Sequence, residues 1–322
     1  MTLKDIQTPV ADELDAFRGY FRDAMRSDVR LLDLVVRYLL KRKGKQLRPT
    51  LVLLSAKASG TIAQPTFQGA ALVELLHTAT LVHDDVVDDA DRRRSAFSIN
   101  ALWKNKIAVL LGDFLLSRGL LLALDAREYD LLHVVSDAVR RMSEGELLQI
   151  EKARKLDIDE ETYYRIISDK TASLLSACTR CGAVSVRADH DTVERLSRFG
   201  EALGLAFQIR DDLFDFGGDD VGKPLGIDIQ EKKMTLPLIV ALRESSRADR
   251  RRIVKIVGKD RKTAEEVKTV TDFVRASGGL EVAQEHMHRH AESARAELAG
   301  LPPSDARDAL DRLVTFTITR KR

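Results

Sequence analysis

Two copies of the spacing Asp-Asp-x-x-Asp, each at the end of a largely apolar segment, constrain the fold of this chain more than any other feature. The aspartates are Asp84, Asp85 and Asp88 in the first copy and Asp211, Asp212 and Asp215 in the second. Successive residues of an α-helix lie about 100° apart around its axis, so the three carboxylates of one copy share a sector of about 100°. Like charges on one helix face repel each other, and such a face is retained where a cation neutralises it. Mg²⁺ suits this role because it takes one or two protein carboxylates per ion and leaves the rest of its shell to water and phosphate oxygens.

The repetition of the acidic cluster is more informative than either copy alone. A single acidic helix face is usually solvated and binds nothing. Two helices that bring these clusters face to face would form a bowl with carboxylates around its rim, and several Mg²⁺ ions would clamp a diphosphate there. The sequence therefore predicts a metal–diphosphate site formed by two helices.

The rest of the chain has the pattern of an all-α protein. Of 322 residues, 44% are hydrophobic, which is enough for a sizeable core, and only 5% are aromatic. Leu, Ala, Arg, Glu and Asp dominate, a mixture that favours helix. Apolar residues recur at helical spacing, without an alternating strand pattern, and predict helices over about 66–89, 107–124, 131–155, 159–176 and 190–216. No linker, repeat or low-complexity run interrupts them, so we predict one all-helical domain over residues 1–322.

Charge and composition argue against several classes of protein. The formal net charge is +2, from 52 basic and 50 acidic residues, and this near balance argues against nucleic-acid binding. The most apolar long segment, 107–124, contains Asp113 and Arg118, so no membrane span is predicted. The first residues contain no apolar signal core. With two cysteines and no disulfide framework, the sequence predicts a cytoplasmic protein.

Cys178 and Cys181 form a lone Cys-x-x-Cys spacing. A redox pair or half of a zinc site would have this spacing, but the chain contains no second cysteine pair. The flanking residues are apolar and have the pattern of a helix core. We interpret the two cysteines as small buried side chains.

The segment 41–50 is rich in basic residues and includes Lys45 and Arg48. One interpretation is a solvated helix end, since cations are favoured at helix C-termini. The other is an anion site, in which Gly44 permits a tight turn and Pro49 starts the next helix. The spacing alone leaves both interpretations open.

His77 and the arginine run 92–94 also have two interpretations each. His77 would be an ordinary core histidine or, two turns below the first acidic cluster, a donor to a phosphate. The arginines would form surface ion pairs worth about 0–1 kcal/mol or supply the planar forks that match phosphate oxygens.

Taken together, the motifs identify a family. In chain order they are Gly44-Lys45-Gln46-Leu47-Arg48-Pro49, HTATLVHDD from His77, the first aspartate cluster with its arginine pair, Gly112-Asp113, Lys170-Thr171, Phe207-Gln208 with the second aspartate cluster, Gly222-Lys223-Pro224 and Lys233-x-Thr235-x-Pro237. With this set the chain resembles the trans-isoprenyl (polyprenyl) diphosphate synthases, and most of all their long-chain all-trans members. The resemblance implies a single large antiparallel helical bundle around a deep central cavity, a homodimer, and about three Mg²⁺ ions per active site.

The resemblance also implies a reaction, the head-to-tail condensation of isopentenyl diphosphate with an allylic diphosphate. The C1–O bond of the allylic diphosphate ionises when cations stabilise the departing diphosphate. A dry, apolar cavity protects the allyl cation from water. The double bond of isopentenyl diphosphate attacks this cation, and a proton is then lost to the released diphosphate. No protein nucleophile is needed, and the sequence shows no nucleophile–base signature.

Carried over residue by residue, the resemblance assigns roles. Metal ligands would be Asp84, Asp85, Asp88, Asp211 and Asp212, with Asp215 in support. The allylic diphosphate would be held by Arg93, Lys170 and Lys233. The diphosphate of isopentenyl diphosphate would be bound by Lys45, Arg48, His77 and Arg94. The reacting end would be lined by Thr171 and Gln208.

Two positions depart from the family pattern. Ser95 stands where a glycine usually follows the arginine pair, and Lys232 stands where a glycine usually precedes the second catalytic lysine. Neither change removes a ligand. We predict that Lys233 rather than Lys232 faces the diphosphate, because Lys233 keeps the family spacing to Thr235 and Pro237.

The positions beneath the first aspartate cluster predict the length of the product. Ala79 and Thr80 lie five and four residues before Asp84, which places them about 6–8 Å deeper along a helix. Short-chain members of the family carry bulky aromatic residues here, which block the growing chain. Ala79 and Thr80 block nothing, so we predict a long product whose floor is set deeper, by residues such as Phe114, Leu115 or Leu122.

Expected partners are the two diphosphate substrates, a second copy of the chain and, during product release, a peripheral membrane contact. The basic tail 320–322 would either close over the diphosphates or fray, and we expect a frayed end. The final length, the allylic primer and the downstream pathway are not encoded in these motifs.

Competing functions fit fewer motifs. A terpene cyclase would carry an Asn/Ser/Glu metal triad in place of the second aspartate cluster. A metal phosphohydrolase with a His-Asp doublet would explain His83-Asp84 but not the second cluster. A farnesyl- or geranylgeranyl-length synthase and a partner-dependent subunit of a heteromeric synthase are the remaining alternatives, although such subunits typically lose one aspartate motif.

Overall fold

A computed structural model describes residues 2–41, 44–93, 96–154, 156–217 and 226–320, without the side chain of Arg93. The described chain is almost entirely helical, which confirms the all-α fold class. Its two strands, β1 (Arg92–Arg93) and β2 (Ala96–Phe97), form a short antiparallel pair with Arg92 opposite Phe97.

The helices of the described residues are, in chain order, α1 (Leu3–Gln7), α2 (Ala11–Ala24), α3 (Arg30–Leu40), α4 (Leu47–Ser59), α5 (Gln64–Val87), α6 (Ile99–Asp125), α7 (Tyr129–Ala153), α8 (Glu160–Ile167), α9 (Ser173–Ser185), α10 (His190–Asp215), α11 (Ile227–Gln230), α12 (Leu236–Arg243), α13 (Arg247–Val257), α14 (Ala264–Ala276), α15 (Gly279–Ala299) and α16 (Asp305–Thr319). A 3-10 turn, Thr8–Val10, precedes α2, and a π turn, Ser168–Ala172, joins α8 to α9.

The chain divides into two compact units. Unit 1 comprises Met1–Val139, Ala177–Ser197 and Gly300–Leu310, and unit 2 comprises Arg140–Ser176, Arg198–Ala299 and Asp311–Arg322. A compact unit need not fold on its own, so this division does not test whether the chain is a single domain. The single domain and the central cavity therefore stay predictions.

The core of unit 1 forms around α4 and α5. Helix α4 is buried from Pro49 through Ala56, and Pro49 is tolerated in its first turn because an N–H there has no partner within the helix. Helix α5 packs against α2, α4 and α6. At Gly112 of α6 an added Cβ would overlap the ring of His83 on α5, so only glycine permits this close approach.

Helix α5 ends earlier than predicted. Its last residue is Val87, Asp88 is the C-cap, and Asp89 has a left-handed backbone with φ +49°. Helix α6 starts at Ile99, earlier than the predicted residue 107, and its backbone is not helical at Lys104, where φ is +68°. The predicted start therefore lies just after this break, and the sequence pattern missed the helical segment before it.

In unit 2, α12 provides the most buried segment. Residues Leu236 through Leu242 are all buried, and α12 packs against α8, α14 and α15. The predicted helix over about 159–176 continues through the π turn as far as Ser185.

Among the described helices, α6 alone is long and apolar enough to cross a membrane by length and composition, and 33% of its most apolar window is buried. Within unit 1 the Arg118 side chain donates from Nε to the carbonyl of Ala24 at 3.0 Å. The absence of a membrane span stays a prediction.

Candidate active site

The second aspartate cluster lies at the C-terminal end of α10, and Asp212 is buried there between two hydrogen-bond donors. The Tyr163 hydroxyl donates to Asp212 Oδ2 at 2.7 Å, and Gln208 Nε2 donates to Oδ1 at 3.0 Å. Burial raises the pKa of Asp212 to about 7, helped by the charges of Asp228 and Asp211, although both hydrogen bonds lower it. The carboxylate is thus held in place by the protein, and a nearby cation would favour its charged form.

The two residues predicted to line the reacting end are in contact. Thr171 Oγ1 donates to Gln208 Oε1 at 2.9 Å. Because Gln208 in turn donates to Asp212, a chain of hydrogen bonds runs from the π turn to the second aspartate cluster. The structure therefore brings three of the predicted site residues together.

Lys170, the neighbour of Thr171, rests against α7. Its Nζ lies 2.5 Å from Glu146 Oε2 and 3.4 Å from Gln149 Oε1. The side chain is 35% exposed. A diphosphate carries more charge than a single carboxylate, so Lys170 can exchange Glu146 for such a ligand.

Asp215, the last aspartate of the second cluster, connects it to α11. The backbone N–H of Asp228 donates to Asp215 Oδ2 at 3.1 Å. Burial and the charge of Asp228 raise the pKa of Asp215 to about 6, while the N–H groups of residues 227, 228 and 229 lower it. Asp215 therefore anchors the start of α11, and its predicted support of metal binding stays a prediction.

Lys233 lies beside this cluster and Lys232 does not. Lys233 Nζ is 3.3 Å from Asp228 Oδ1 and 2.6 Å from Glu231 Oε2. Burial lowers the pKa of Lys233, but these two carboxylates raise it more, so the lysine keeps its charge. Lys232, with φ +60°, instead pairs at 2.5 Å with Asp260, whose side chain is 95% exposed. Lys233 is thus linked to the second cluster through Asp228, and its orientation toward a diphosphate stays a prediction.

Asp211, the first aspartate of the second cluster, pairs with Arg320 near the end of the chain. The Arg320 guanidinium lies 4.0 Å from the centroid of the Phe207 ring, and the Arg320 carbonyl accepts from Arg210 Nη2 at 2.9 Å. The Arg320 side chain is only 10% exposed. The expectation of a frayed tail is therefore wrong as far as Arg320, because stacking and an ion pair hold this residue in place; residues 321–322 lie outside the described residues.

The first aspartate cluster spans the C-terminal end of α5. Asp84 and Asp88 are exposed, whereas Asp85 is buried at 3% exposure. Asn100 Nδ2 donates to the Asp85 carbonyl at 3.1 Å, and Ser98 Oγ donates to the Ala90 carbonyl at 2.5 Å. These bonds fix the chain that follows the cluster. Two of its three carboxylates thus face solvent, and the third faces the protein.

The remaining α5 positions lie below this cluster. His77 is buried at 8% exposure and Ala79 at 2%, while Thr80 is half-buried and donates from Oγ1 to the His77 carbonyl at 2.8 Å. Ala79 is therefore buried and Thr80 partly so, and their predicted influence on product length stays a prediction.

The basic residues predicted to bind isopentenyl diphosphate are only partly described. Lys45 is exposed, and Arg48 is half-buried in the first turn of α4. Burial raises the pKa of Cys178 to about 12, and the charge of Arg48 opposes this shift. Arg94 and the motif 222–224 lie outside the described residues, as does the side chain of Arg93. The roles predicted for Arg93 and Arg94 stay predictions.

Three contributors to the second cluster are absent from the sequence-based prediction: Tyr163, Asp228 and Arg320. Tyr163 precedes Lys170 by two helical turns, so helical periodicity offers a weak signal for it. Asp228 lies 13 residues after Asp215, beyond the end of α10, and Arg320 lies more than a hundred residues after Asp211. No helical spacing connects either residue to the cluster.

Both clusters fit Mg²⁺. Each lies at a helix C-terminus, where the helix dipole disfavours negative charge by about 0.3–1 kcal/mol per group, so a cation is favoured. Within the described ranges, no three His, Cys, Asp or Glu side chains converge to enclose a metal ion. Mg²⁺ takes one or two protein carboxylates per ion and completes its shell with water and phosphate, so the acidic ends of α5 and α10 would each supply ligands to such an ion.

Comparison of the sequence with protein families gives a match to the polyprenyl synthetase model over residues 29–274. The octaprenyl diphosphate synthase of Escherichia coli is 33% identical, over 100% of both chains.

Solved structures agree over the same length. A decaprenyl diphosphate synthase from Rhodobacter capsulatus matches with a TM-score of 0.94 and 35% identity, covering 100% of both chains. A polyprenyl synthase from Caulobacter crescentus, complexed with calcium and isoprenyl diphosphate, matches with a TM-score of 0.90 and 32% identity, over 100% of this chain and 98% of that one. Sequence and backbone thus match the same group of proteins.

Proposed function

The chain belongs to the polyprenyl synthetase family, and on that premise we propose that it condenses isopentenyl diphosphate with an allylic diphosphate, head to tail, into a long all-trans polyprenyl diphosphate. Membership of the family makes the chain a prenyltransferase. The observation that supports the proposal is the chain of hydrogen bonds from Thr171 through Gln208 to Asp212, which connects the two residues proposed for the reacting end with the second aspartate cluster. Similarity to octaprenyl and decaprenyl synthases supports the long product.

About three Mg²⁺ ions per active site would supply the positive charge that stabilises the leaving diphosphate. The carboxylates of Asp84, Asp85 and Asp88 would hold some of these ions and those of Asp211 and Asp212 another, with Asp215 in support. Asp85 and Asp212 are buried, and Asp212 is oriented by Tyr163 and Gln208. The relative complexed with calcium and isoprenyl diphosphate supports the use of a divalent metal.

The cationic side chains bind the diphosphates. Lys170 and Lys233 would exchange their present carboxylate partners for the allylic diphosphate, with Arg93 as the third ligand. Lys45, Arg48, His77 and Arg94 would bind the diphosphate of isopentenyl diphosphate. The oxygens of Thr171 and Gln208 would face the allyl cation and stabilise its charge as it develops.

We further propose that α6 contributes to a homodimer. Several of its apolar side chains are exposed, namely Leu102, Val109, Leu110, Leu121 and Leu124. A second copy would cover such a surface, because exposed apolar side chains on one helix face mark an interface. A monomer in light scattering, at concentrations where the enzyme is active, would contradict this proposal.

Localisation in the cytoplasm and a peripheral membrane contact for product release are further proposals. Free cysteines suit a reducing compartment, and Cys178 and Cys181 are both buried and unbridged. A long polyprenyl product partitions into lipid, so release at a membrane surface avoids exposing it to water. Co-sedimentation with vesicles that rises during turnover is the expected result.

Product analysis tests the main proposal. Purified protein, Mg²⁺, labelled isopentenyl diphosphate and farnesyl diphosphate should give a ladder of long polyprenyl diphosphates in chromatography or mass spectrometry. A stop at geranylgeranyl length would keep the enzyme class and contradict the long product. No elongation by a folded sample with any allylic primer would contradict the proposed function.

A further inference from the structure

The predicted catalytic residues Lys170 and Thr171 lie in a π turn, an uncommon backbone conformation. The turn spans Ser168–Ala172, and the N–H of Ser173 donates to the Ser168 carbonyl, five residues back instead of four. The Ser173 hydroxyl donates to the Asp169 carbonyl at 2.6 Å. π turns are rare, and they occur mostly as single turns inside α-helices, frequently at functional sites. Other contacts must therefore hold this one.

Two glycines on neighbouring helices of unit 2 allow these helices to pack closely against the turn. An added Cβ at Gly145 of α7 would lie 2.9 Å from Asp169 Cβ and from the Lys170 backbone nitrogen. An added Cβ at Gly204 of α10 would overlap the Cα of Ala172. The turn therefore touches α7 at its start and α10 at its end, at distances that only glycine permits.

A cluster of polar side chains holds the start of the turn. Arg141 Nε donates to Asp169 Oδ1 at 2.8 Å, and Arg141 Nη2 donates to Ser168 Oγ at 2.9 Å and to Glu201 Oε1 at 3.2 Å. The Ser168 hydroxyl also donates to Glu201. Arg141 lies one turn before Gly145 on α7, and Glu201 lies one turn before Gly204 on α10. The same two helices thus supply both the close contacts and the polar clamp.

The clamp is made of charge-assisted hydrogen bonds in a partly buried place. The side chains of Arg141, Asp169 and Glu201 are 27%, 18% and 29% exposed. Burial lowers the pKa of Arg141, but the hydrogen bonds to both carboxylates raise it more, so the net pKa is raised. Bonds of this kind are about twice as strong as neutral ones.

We propose that Arg141 is a positioning residue, which fixes Ser168 and Asp169 through this clamp and so presents Lys170 and Thr171 to the substrates. This inference rests on the proposed function. If the turn reverted to α-helical register, Lys170 and Thr171 would rotate by about 100° relative to α8. The hydrogen bond from Thr171 to Gln208 would then be lost, together with the link to Asp212.

The test compares Arg141→Gln with Arg198→Gln. Arg198 makes a two-pronged pair with Glu297, at 2.8 and 3.1 Å, between α10 and α15 of the same unit. Both variants remove an arginine that bridges two helices, but only Arg141 touches the π turn. We expect Arg141→Gln to lower kcat by about 10–100-fold with little change in KM, as expected for a small misplacement of reacting groups. Arg198→Gln should keep the wild-type kcat, and Arg141→Lys should recover part of the loss.

Hydrogen–deuterium exchange gives a readout that does not depend on turnover. Peptides that contain residues 168–173 should exchange faster in Arg141→Gln than in Arg198→Gln. Each variant is measured at a temperature that lies equally far below its own melting temperature. Glu201→Gln, which keeps the shape of the side chain and removes its charge, serves if Arg141→Gln fails to fold. Combination with Thr171→Val should be non-additive, because both changes act on one chain of contacts.

Unchanged exchange and unchanged kcat in Arg141→Gln, or full additivity with Thr171→Val, would overturn the inference. A wild-type protein that is folded but does not elongate would instead overturn the proposed function, and the exchange data would still decide whether Arg141 holds the π turn.

Discussion

The two aspartate clusters have the same spacing but very different surroundings. In the first, at the end of α5, Asp84 and Asp88 are exposed and only Asp85 is buried. In the second, Asp212 accepts two side-chain hydrogen bonds and Asp215 anchors α11. One cluster presents its carboxylates to solvent, and the other is built into the protein.

This difference shows what a motif does and does not specify. The spacing sets the angular position of each carboxylate around its helix, but neighbouring elements decide which carboxylates are buried. A preorganised cluster loses little freedom when it binds a metal, whereas an exposed cluster depends on the metal and substrate to order it. We therefore expect the second cluster to be sensitive to residues around it, and the first mainly to its own carboxylates.

The largest effect is expected when the first carboxylate of either cluster is removed. Asp84→Ala and Asp211→Ala should each lower kcat by about 10²–10³-fold or more, because fewer charges stabilise the leaving diphosphate. Single-turnover assays and calorimetric titration with Mg²⁺ measure the two consequences. Turnover close to wild type in both variants would show that the metal assignment is wrong.

The adjacent tyrosines of α8 test preorganisation of the second cluster. Tyr163→Phe removes a donor to Asp212 and should weaken Mg²⁺ binding by about 10-fold, since a hydrogen bond to a charged group contributes about 1.5–3 kcal/mol. Tyr164→Phe is the matched control, because the Tyr164 hydroxyl contacts His286 at 2.7 Å instead of the cluster. Equal titration curves for the two variants would argue that the cluster is not preorganised by Tyr163.

The adjacent lysines before α12 test which side chain grips the allylic diphosphate. Lys233→Ala should raise the KM for the allylic substrate by about 10-fold, as expected for loss of one charged contact. Lys232→Gly should leave KM unchanged and also relieve the left-handed backbone at this position. Steady-state kinetics with varied primer decides between them, and a larger effect at Lys232 would reverse the assignment.

Helix α5, which carries the first cluster, should also control product length. Ala79→Phe introduces a bulky ring below Asp84 and should shorten the product by about one or more isoprene units, because a ring of this size fills the space of a chain segment. Thr80→Phe tests the neighbouring position. Product ladders of wild-type length from both folded variants would place the floor elsewhere in the protein.

The smallest effect is expected at the end of the chain. Arg320 supplies the second cluster with an internal cation through Asp211, so Arg320→Gln should tighten Mg²⁺ binding by about two- to fivefold while lowering stability in its absence, as expected for loss of one partly buried ion pair. Calorimetry and thermal melts, each with and without Mg²⁺, measure both changes. Weaker Mg²⁺ binding in the variant would contradict competition between Arg320 and the metal.

The sequence by itself determined the all-α class and the places of most helices, because these follow from an apolar periodicity that acts over one or two helical turns. The expected roles of Lys170, Thr171 and Gln208 came from the resemblance of the motifs to a family, and not from periodicity. The π turn could not be predicted from the sequence, because one inserted residue leaves the apolar pattern on either side intact.

Only the tertiary structure decided that Asp85 is buried while Asp84 is exposed, and that Lys232 pairs with the exposed Asp260. It also brought Arg320 to Asp211, across more than a hundred residues of chain. The physical reason is that burial and long-range contacts depend on which faces of separate helices pack together, and no local pattern of residues records that choice.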